Sequence, residues 1–310
     1  VGSHATVKIL VTGITGYIGS LVAPRLVRDG HDVRGFSRVP DGAASPVPVV
    51  AGDAISGEGL REALDGIEVA YFLIHSMEPA TDKWFASRER VSAENFAEAA
   101  AAAGVRRVVY LGGLVPNGGP QSAHLASRMA VETILKEAVP DSVALRASIV
   151  IGAHSRAFRF LVRLVERLPV MAVPAWRIHR TAPIDERDVI ELLARSATDD
   201  AVGGQTFDVG GPDIVSYGEL IDRIADVMLV QRPALRLKRM TVTPIASRLA
   251  ALVAGEDHEL IGPLMESLGT DLIPEDDGMA QLLHVRLHRL DSAIEHALAD
   301  WEREEPLAAR

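Results

Sequence analysis

The residues best spaced for chemistry are three glycines in the run Thr12-Gly13-Ile14-Thr15-Gly16-Tyr17-Ile18-Gly19. An apolar run, Val7 to Thr12, precedes them, and a helical pattern of Ile18, Leu21, Val22 and Leu26 follows as far as Gly30. A strand turning sharply into a helix aims the helix's unpaired N-terminal N–H groups and positive dipole end into the turn, which suits a diphosphate. Gly13 permits the turn, Gly16 lets the backbone approach the phosphates, and Gly19 lets the helix lie close to the strand. Glycine spacing alone is common in loops. The strand before it and the helix after it make this one a dinucleotide pyrophosphate site.

A second chemical position closes the next strand pattern, His31 to Arg38, where a βαβ unit delivers the adenosine ribose. An acidic residue there would accept from the ribose 2′-hydroxyl and select NAD. Ser37 and Arg38 instead offer a hydroxyl and a guanidinium, which suit a 2′-phosphate. The expected cofactor is NADPH, with NADH the alternative. His75 and Ser76 end the apolar run Ile67 to Ile74, at the carboxyl edge where open α/β sheets bind ligands. Ser76 is a candidate catalytic hydroxyl there; the competing reading makes both residues satisfied strand ends.

Positioning these groups requires alternating elements. A strand from Val47 to Val50 leads to Gly52-Asp53, a helix spans Gly59 to Leu64, and the apolar run to Ile74 suits a parallel strand covered on both faces. A helix from Val91 to Ala103, a strand from Arg107 to Leu111, a helix from Ala123 to Glu137 and a strand from Val143 to Val150 follow. This order predicts an α/β fold, a Rossmann-type doubly wound parallel sheet with right-handed crossovers. Thr15, Tyr17 and Ile18 in the first turn, and Gly52, Asp53, Ile74, His75, Gly112, Ala147 and Ile149 at later strand ends, are expected to line the dinucleotide.

Residues 5–155 and 183–212 are expected to form the dinucleotide-binding domain, and 156–182 with 213–310 a smaller, mostly helical substrate lobe. Arg156 to Leu168 sets Phe158, Leu161, Leu164, Val165 and Leu168 on one helical face and Arg159, Arg163 and Arg167 opposite. Thr181 to Val189 reads as a return to the sheet, and Gln205 to Gly211 as a further strand. Helical patterns then cover Tyr217 to Met228, Pro244 to Val253 and Leu282 to Trp301.

Composition narrows the partners. A chain of 310 residues suffices for one large core and a smaller lobe. The formal charge of −10 opposes a nucleic-acid surface. With no cysteine, disulfides, thiolate chemistry and Cys-ligated metals are excluded, no metal is expected, and a reducing cytoplasm fits. No uncharged apolar run reaches the length of about 18 residues a membrane span needs, and Arg248 interrupts the most apolar late stretch. Val1-Gly2-Ser3-His4 reads as a vector remnant outside the fold. The expected partner is a small molecule, and nothing here sets an oligomeric state.

The glycine turn, Arg38, Gly52-Asp53 and Leu145-Arg146 together resemble the extended and atypical short-chain dehydrogenase/reductases over roughly residues 6–215. Phe72 to Met77, Tyr110 to Leu114 and Ser122 to Arg128 are similar to an atypical NAD(P)H-binding, NmrA-like subfamily. The main family's catalysis uses a tyrosine and a lysine four residues apart on one helix face, the lysine lowering the tyrosine pKa. The tyrosines here stand at 17, 71, 110 and 217, and none has a lysine four residues later. Carried over by position, the resemblance sets His124 where the tyrosine would be, Arg128 for the lysine, Glu132 one turn further, and Gly112 or Gly113 for the serine.

Two readings of that turn stand open. In one, His124 gives a proton or hydrogen bond to a carbonyl oxygen near neutral pH and Arg128 anchors cofactor ribose or substrate. In the other, Arg128 pairs with Glu132 and His124 supports the first helical turn behind an N-cap at Ser122. The function that follows first is an NADPH-dependent ketoreductase for an apolar or aromatic ketone, with Phe158, Trp176, Tyr217, Leu264 and Met265 as candidate lining or else ordinary packing. The resemblance extends to ketoreductases that tailor aromatic polyketides such as angucyclinones. A ketone flanked by its own phenol or enol would need no protein acid. A non-catalytic NAD(P)-binding redox sensor is the second reading, and a sugar epimerase or dehydratase, which leans on the absent tyrosine, the third.

Overall fold

The computed structural model describes residues 6–39, 47–74, 82–116, 119, 123–167, 171–172, 175–230, 234–235 and 269–307. His75, Ser76, Ser122, Leu264, Met265 and the Pro244 to Val253 pattern lie outside the described residues.

Seven parallel strands form one sheet in the order β7-β6-β5-β4-β1-β2-β3: β1 Lys8–Thr12, β2 Asp32–Ser37, β3 Val49–Ala51, β4 Val69–Phe72, β5 Arg107–Gly113, β6 Val143–Ala147 and β7 Thr206–Val209. Alternation along the central strands sorts their side chains to two faces. Ile9, Val11, Val69, Tyr71 and Val109 meet α1 (Tyr17–Arg28) and α6 (Glu186–Ser196). Leu10, Ala70, Phe72, Val108 and Tyr110 meet α2 (Leu60–Leu64), α3 (Asp82–Ala102) and α4 (Ala123–Ala138). A sheet so covered needs strands apolar on both faces, as the sequence has them. No described helix is long and apolar enough to cross a membrane.

A separate core joins α5 (Arg156–Arg167), α7 (Tyr217–Val227) and α9 (Leu290–Glu302). On the arginine face of α5, Arg167 is exposed and Arg159 half-buried, but the middle arginine is covered. Arg163 is buried, paired with Glu166 at 2.5 Å and with Glu305, and its guanidinium lies 4.8 Å from the centre of the Trp301 ring. The chain's far end covers that face, which the helical spacing of α5 alone does not reveal.

Two further expectations are corrected. The helix expected from Leu282 to Trp301 divides into α8 (Gly278–Leu282) and α9, because His284 takes a left-handed φ of 52° and the chain has no regular structure from there to Arg289. His288 there donates its backbone N–H to buried Asp188 at 2.7 Å and brings its ring nitrogen within 2.6 Å of the same carboxylate. The strand expected from Val143 to Val150 ends at Ala147. Val150–Ile151 instead pairs with Ile184–Asp185 outside the main sheet, and Asp185 then caps α6 by accepting from the Arg187 N–H.

Candidate dinucleotide and active site

Strand order reverses between β1 and β4, and in open parallel sheets the ligand crevice lies at that point, beyond the strands' carboxyl ends. The Thr12 hydroxyl donates to the Tyr71 carbonyl at 2.9 Å and accepts from the Leu73 N–H at 3.2 Å, tying the two strand ends together. Directly above, Gly13 has a φ of 65°, and a Cβ on it would sit 2.6 Å from the Leu73 carbonyl oxygen. A Cβ on Gly19 would sit 2.2 Å from the Gly13 carbonyl oxygen, and one on Gly16 would sit 3.1 Å from it. At Gly13 and Gly19, therefore, a Cβ has no room unless backbone moves, and at Gly16 it would be tight. Gly16 caps α1 with no side-chain hydrogen bond to the helix's first N–H groups.

The other expected dinucleotide residues occupy the carboxyl edges of adjacent strands. Thr15 is exposed and Ile18 half-buried in the first turn, and Arg38 is exposed beyond β2. The Ser37 hydroxyl lies 3.2 Å from the Val39 N–H. Gly52 packs so tightly that a Cβ would lie 2.3 Å from the Glu58 carbonyl oxygen, and Asp53 accepts from the Ile55 N–H at 2.8 Å. Ile74, Gly112, Ala147 and Ile149 are half-buried at or just beyond the ends of β4, β5 and β6. Tyr17 is turned away: its hydroxyl donates to Glu186 at 2.6 Å over Gly152, and burial raises its pKa far above the phenol range. Its side chain ties the turn to α6.

On α4, His124 is half-buried, and burial together with the Arg128 charge pushes its pKa down to about 4. The ring is neutral at physiological pH and has no extra proton to release. Arg128 is buried and brings Nε to 3.7 Å from Glu89 of α3. Glu89 also accepts from the Ser127 hydroxyl at 2.7 Å. The alternative pairing of Arg128 with Glu132 is replaced, since Glu132 binds Arg146 at 2.8 and 3.0 Å and accepts from Thr206 at 2.8 Å.

The tyrosines hold no spare hydroxyl for catalysis. Tyr110 donates to the Arg128 carbonyl at 3.2 Å, and burial pushes its pKa to about 12. Tyr71 donates to the Leu193 carbonyl at 2.7 Å. Tyr217 is buried against Thr181, with a pKa pushed to about 12 by burial. Phe158, Trp176 and Tyr217 belong to the core around α5, so as substrate lining they are corrected to packing. A cavity of about 660 Å³ among α1, α6 and residues 284–300 is lined by Pro24, Arg28, Glu191 and His288 rather than by strand ends, and so is separate from this site. Sequence reasoning missed Glu89: it sits between Arg88 and Arg90 in a run that reads as a solvated helix face.

Residues 13–148 match a family model described as NAD(P)H-binding. The chain is 25% identical to a ceramide reductase of Caulobacter vibrioides, over 95% of this chain and 94% of that one. It is 29% identical to a (4-alkanoyl-5-oxo-2,5-dihydrofuran-3-yl)methyl phosphate reductase of Streptomyces griseus, over 78% of this chain and 80% of that one. A 34% identical stretch in a 3-beta-hydroxysteroid dehydrogenase of Mycolicibacterium neoaurum spans 33% of this chain and only 31% of that relative. Among solved structures, a short-chain dehydrogenase/reductase superfamily protein of Agrobacterium tumefaciens with bound NAD superposes with a TM-score of 0.69 at 18% identity, over 96% of this chain and 98% of that one. The chain thus carries an NAD(P)H-binding domain in a fold like that of the short-chain dehydrogenase/reductases.

Proposed function

We propose that the chain is an NADPH-dependent reductase of an apolar or aromatic ketone whose own neighbouring phenol or enol does the work of the missing tyrosine. The observation that carries this reading is the three-glycine cradle at the point where strand order reverses, where a Cβ at Gly13 or Gly19 would lie 2.6 Å or less from a backbone oxygen. The N–H groups at the start of α1 hold the diphosphate, and Arg38 reaches the 2′-phosphate. When bound, the dinucleotide supplies a hydride. Arg128 brings a fixed positive charge to the α4 turn, and neutral His124 donates a hydrogen bond to the carbonyl oxygen without giving up a proton. Two relatives matched over most of this chain carry the word reductase in their names, which supports reduction over epimerisation. The engagement of all four tyrosine hydroxyls argues the same way, since a sugar epimerase would need one of them as a base.

The test is NADPH oxidation against paired aromatic ketones that differ only in whether a phenol sits beside the carbonyl. The flanked ketone is expected to turn over about 100-fold faster, the order of a positioned proton donor, with one alcohol formed per NADPH consumed. Tight NADPH binding with no turnover on either ketone would favour the sensor reading. Exchanging Arg38 for glutamate should weaken NADPH binding roughly 10- to 100-fold, the value of a charge-assisted contact, and bring NADH affinity to or above that of NADPH. Fluorescence titration of both cofactors checks this, and an unchanged NADPH affinity would remove Arg38 from the site.

A further inference from the structure

We propose that Glu89 is a positioning residue of the reductase site, fixing from α3 the turn of α4 that presents His124 and Arg128. The proposal rests on the reading of that turn given above. Glu89 is only 4% exposed. One carboxylate oxygen, Oε2, accepts from the Ser127 hydroxyl at 2.7 Å. The other, Oε1, is buried with no hydrogen-bond donor, and its charged neighbour is the Arg128 guanidinium, Nε at 3.7 Å.

That arrangement gives stability little. A buried ion pair at such a distance scarcely offsets the desolvation of both charges, and well-packed apolar residues at such pairs are often as stable or more so. A carboxylate under a strand-end site does, however, define where a guanidinium and the adjoining helical turn must lie. The turn is held at a second point as well, since the Tyr110 hydroxyl donates to the Arg128 carbonyl at 3.2 Å from beneath. Side chain and backbone of the same residue are thus anchored from α3 and β5 independently. The Ser92 hydroxyl, one turn beyond Glu89 on α3, is also buried without a partner, so the α3 surface facing this region is polar where a purely structural helix contact would be apolar.

The test is a double-mutant cycle on NADPH affinity, measured by fluorescence titration of the full chain, in Glu89→Gln, Arg128→Gln and the double variant. Each single variant is expected to weaken NADPH binding about ten-fold, with the double no weaker than either, because Glu89 acts through Arg128. Glu89→Asp, which keeps the charge, should restore most of the loss, whereas a mere packing role would leave the shorter side chain as poor as glutamine. The double variant removes both charges, so it keeps the test valid if Glu89→Gln alone leaves Arg128 too costly to bury. Losses that multiply in the double, or wild-type affinity in Glu89→Gln, would overturn the proposal. If Arg128→Gln itself leaves NADPH affinity and ketone turnover unchanged, the reading of the α4 turn falls and this proposal with it. An effect in Arg128→Gln with none in Glu89→Gln sinks the role of Glu89 alone.

Discussion

Gly19→Ala is expected to weaken NADPH binding at least about 100-fold, the scale of a misplacement near 1 Å at a binding centre. The new Cβ would stand 2.2 Å from the Gly13 carbonyl oxygen and 2.8 Å from its carbon. Those atoms are backbone, pinned by Gly13 lying against Leu73 and by the Thr12 bridge between β1 and β4. Relief therefore comes only by moving the start of α1 away from the strand, which carries the N–H groups off the diphosphate. Gly30→Ala is the control: it substitutes a glycine of positive φ, 91°, whose new Cβ would meet open space. It should cost about 1 kcal/mol of stability through backbone strain and leave NADPH affinity unchanged. Calorimetric titration of both variants decides the matter, and equal affinities would mean that the cradle does not hold the cofactor.

The second large effect is on stability. Trp301→Ala should destabilise the protein by about 3–5 kcal/mol, the range for deleting a buried aromatic side chain. Trp301 is 1% exposed, and the guanidiniums of Arg159 and Arg163 lie 4.5 and 4.8 Å from its ring centre. Loss of the ring also removes the indole N–H that donates to Glu305 at 3.2 Å, and so loosens the acid that Arg163 binds. The affected core of α5, α7 and α9 is distinct from the two cores flanking the sheet. Urea denaturation should therefore show a lowered first transition, with NADPH still bound at denaturant concentrations that have loosened the lobe. A single, unshifted transition would contradict both the burial argument and the proposed division between sheet domain and lobe.

What the sequence discloses follows the range of the interactions involved. The strand, glycine turn and first helix are legible because their local structure depends on neighbours within a few positions, and the place of Arg38 just beyond β2 follows from its distance along one βαβ unit. The alternation of apolar runs likewise gives the parallel sheet. Pairings set by distant segments are not legible in the sequence: Arg163 is covered by Glu305 and Trp301 at the chain's far end, and Glu132 turns to Arg146 rather than to Arg128. The helix break at His284 carries no glycine or proline to announce it; the chain leaves the helix there to bring His288 to Asp188. The neutrality of His124 is set by how deeply α4 packs, and Glu89 enters only because α3 and α4 lie side by side. None of these is a spacing.

Hydride transfer without a protein proton donor stands or falls on His124→Phe assayed with the phenol-flanked ketone between pH 5.5 and 8. An imidazolium acid would be needed protonated, so its rate would fall as pH rises through its pKa. A neutral ring is needed deprotonated, so its contribution is lost only as pH falls through about 4. The wild-type rate is expected to be level across this range, and the His124→Phe rate to lie within about ten-fold of it, the worth of one neutral hydrogen bond. A loss beyond about 1,000-fold at unchanged NADPH affinity, or a wild-type rate that falls above pH 6.5 while the His124→Phe rate stays level, would identify His124 as the proton donor and overturn this reading.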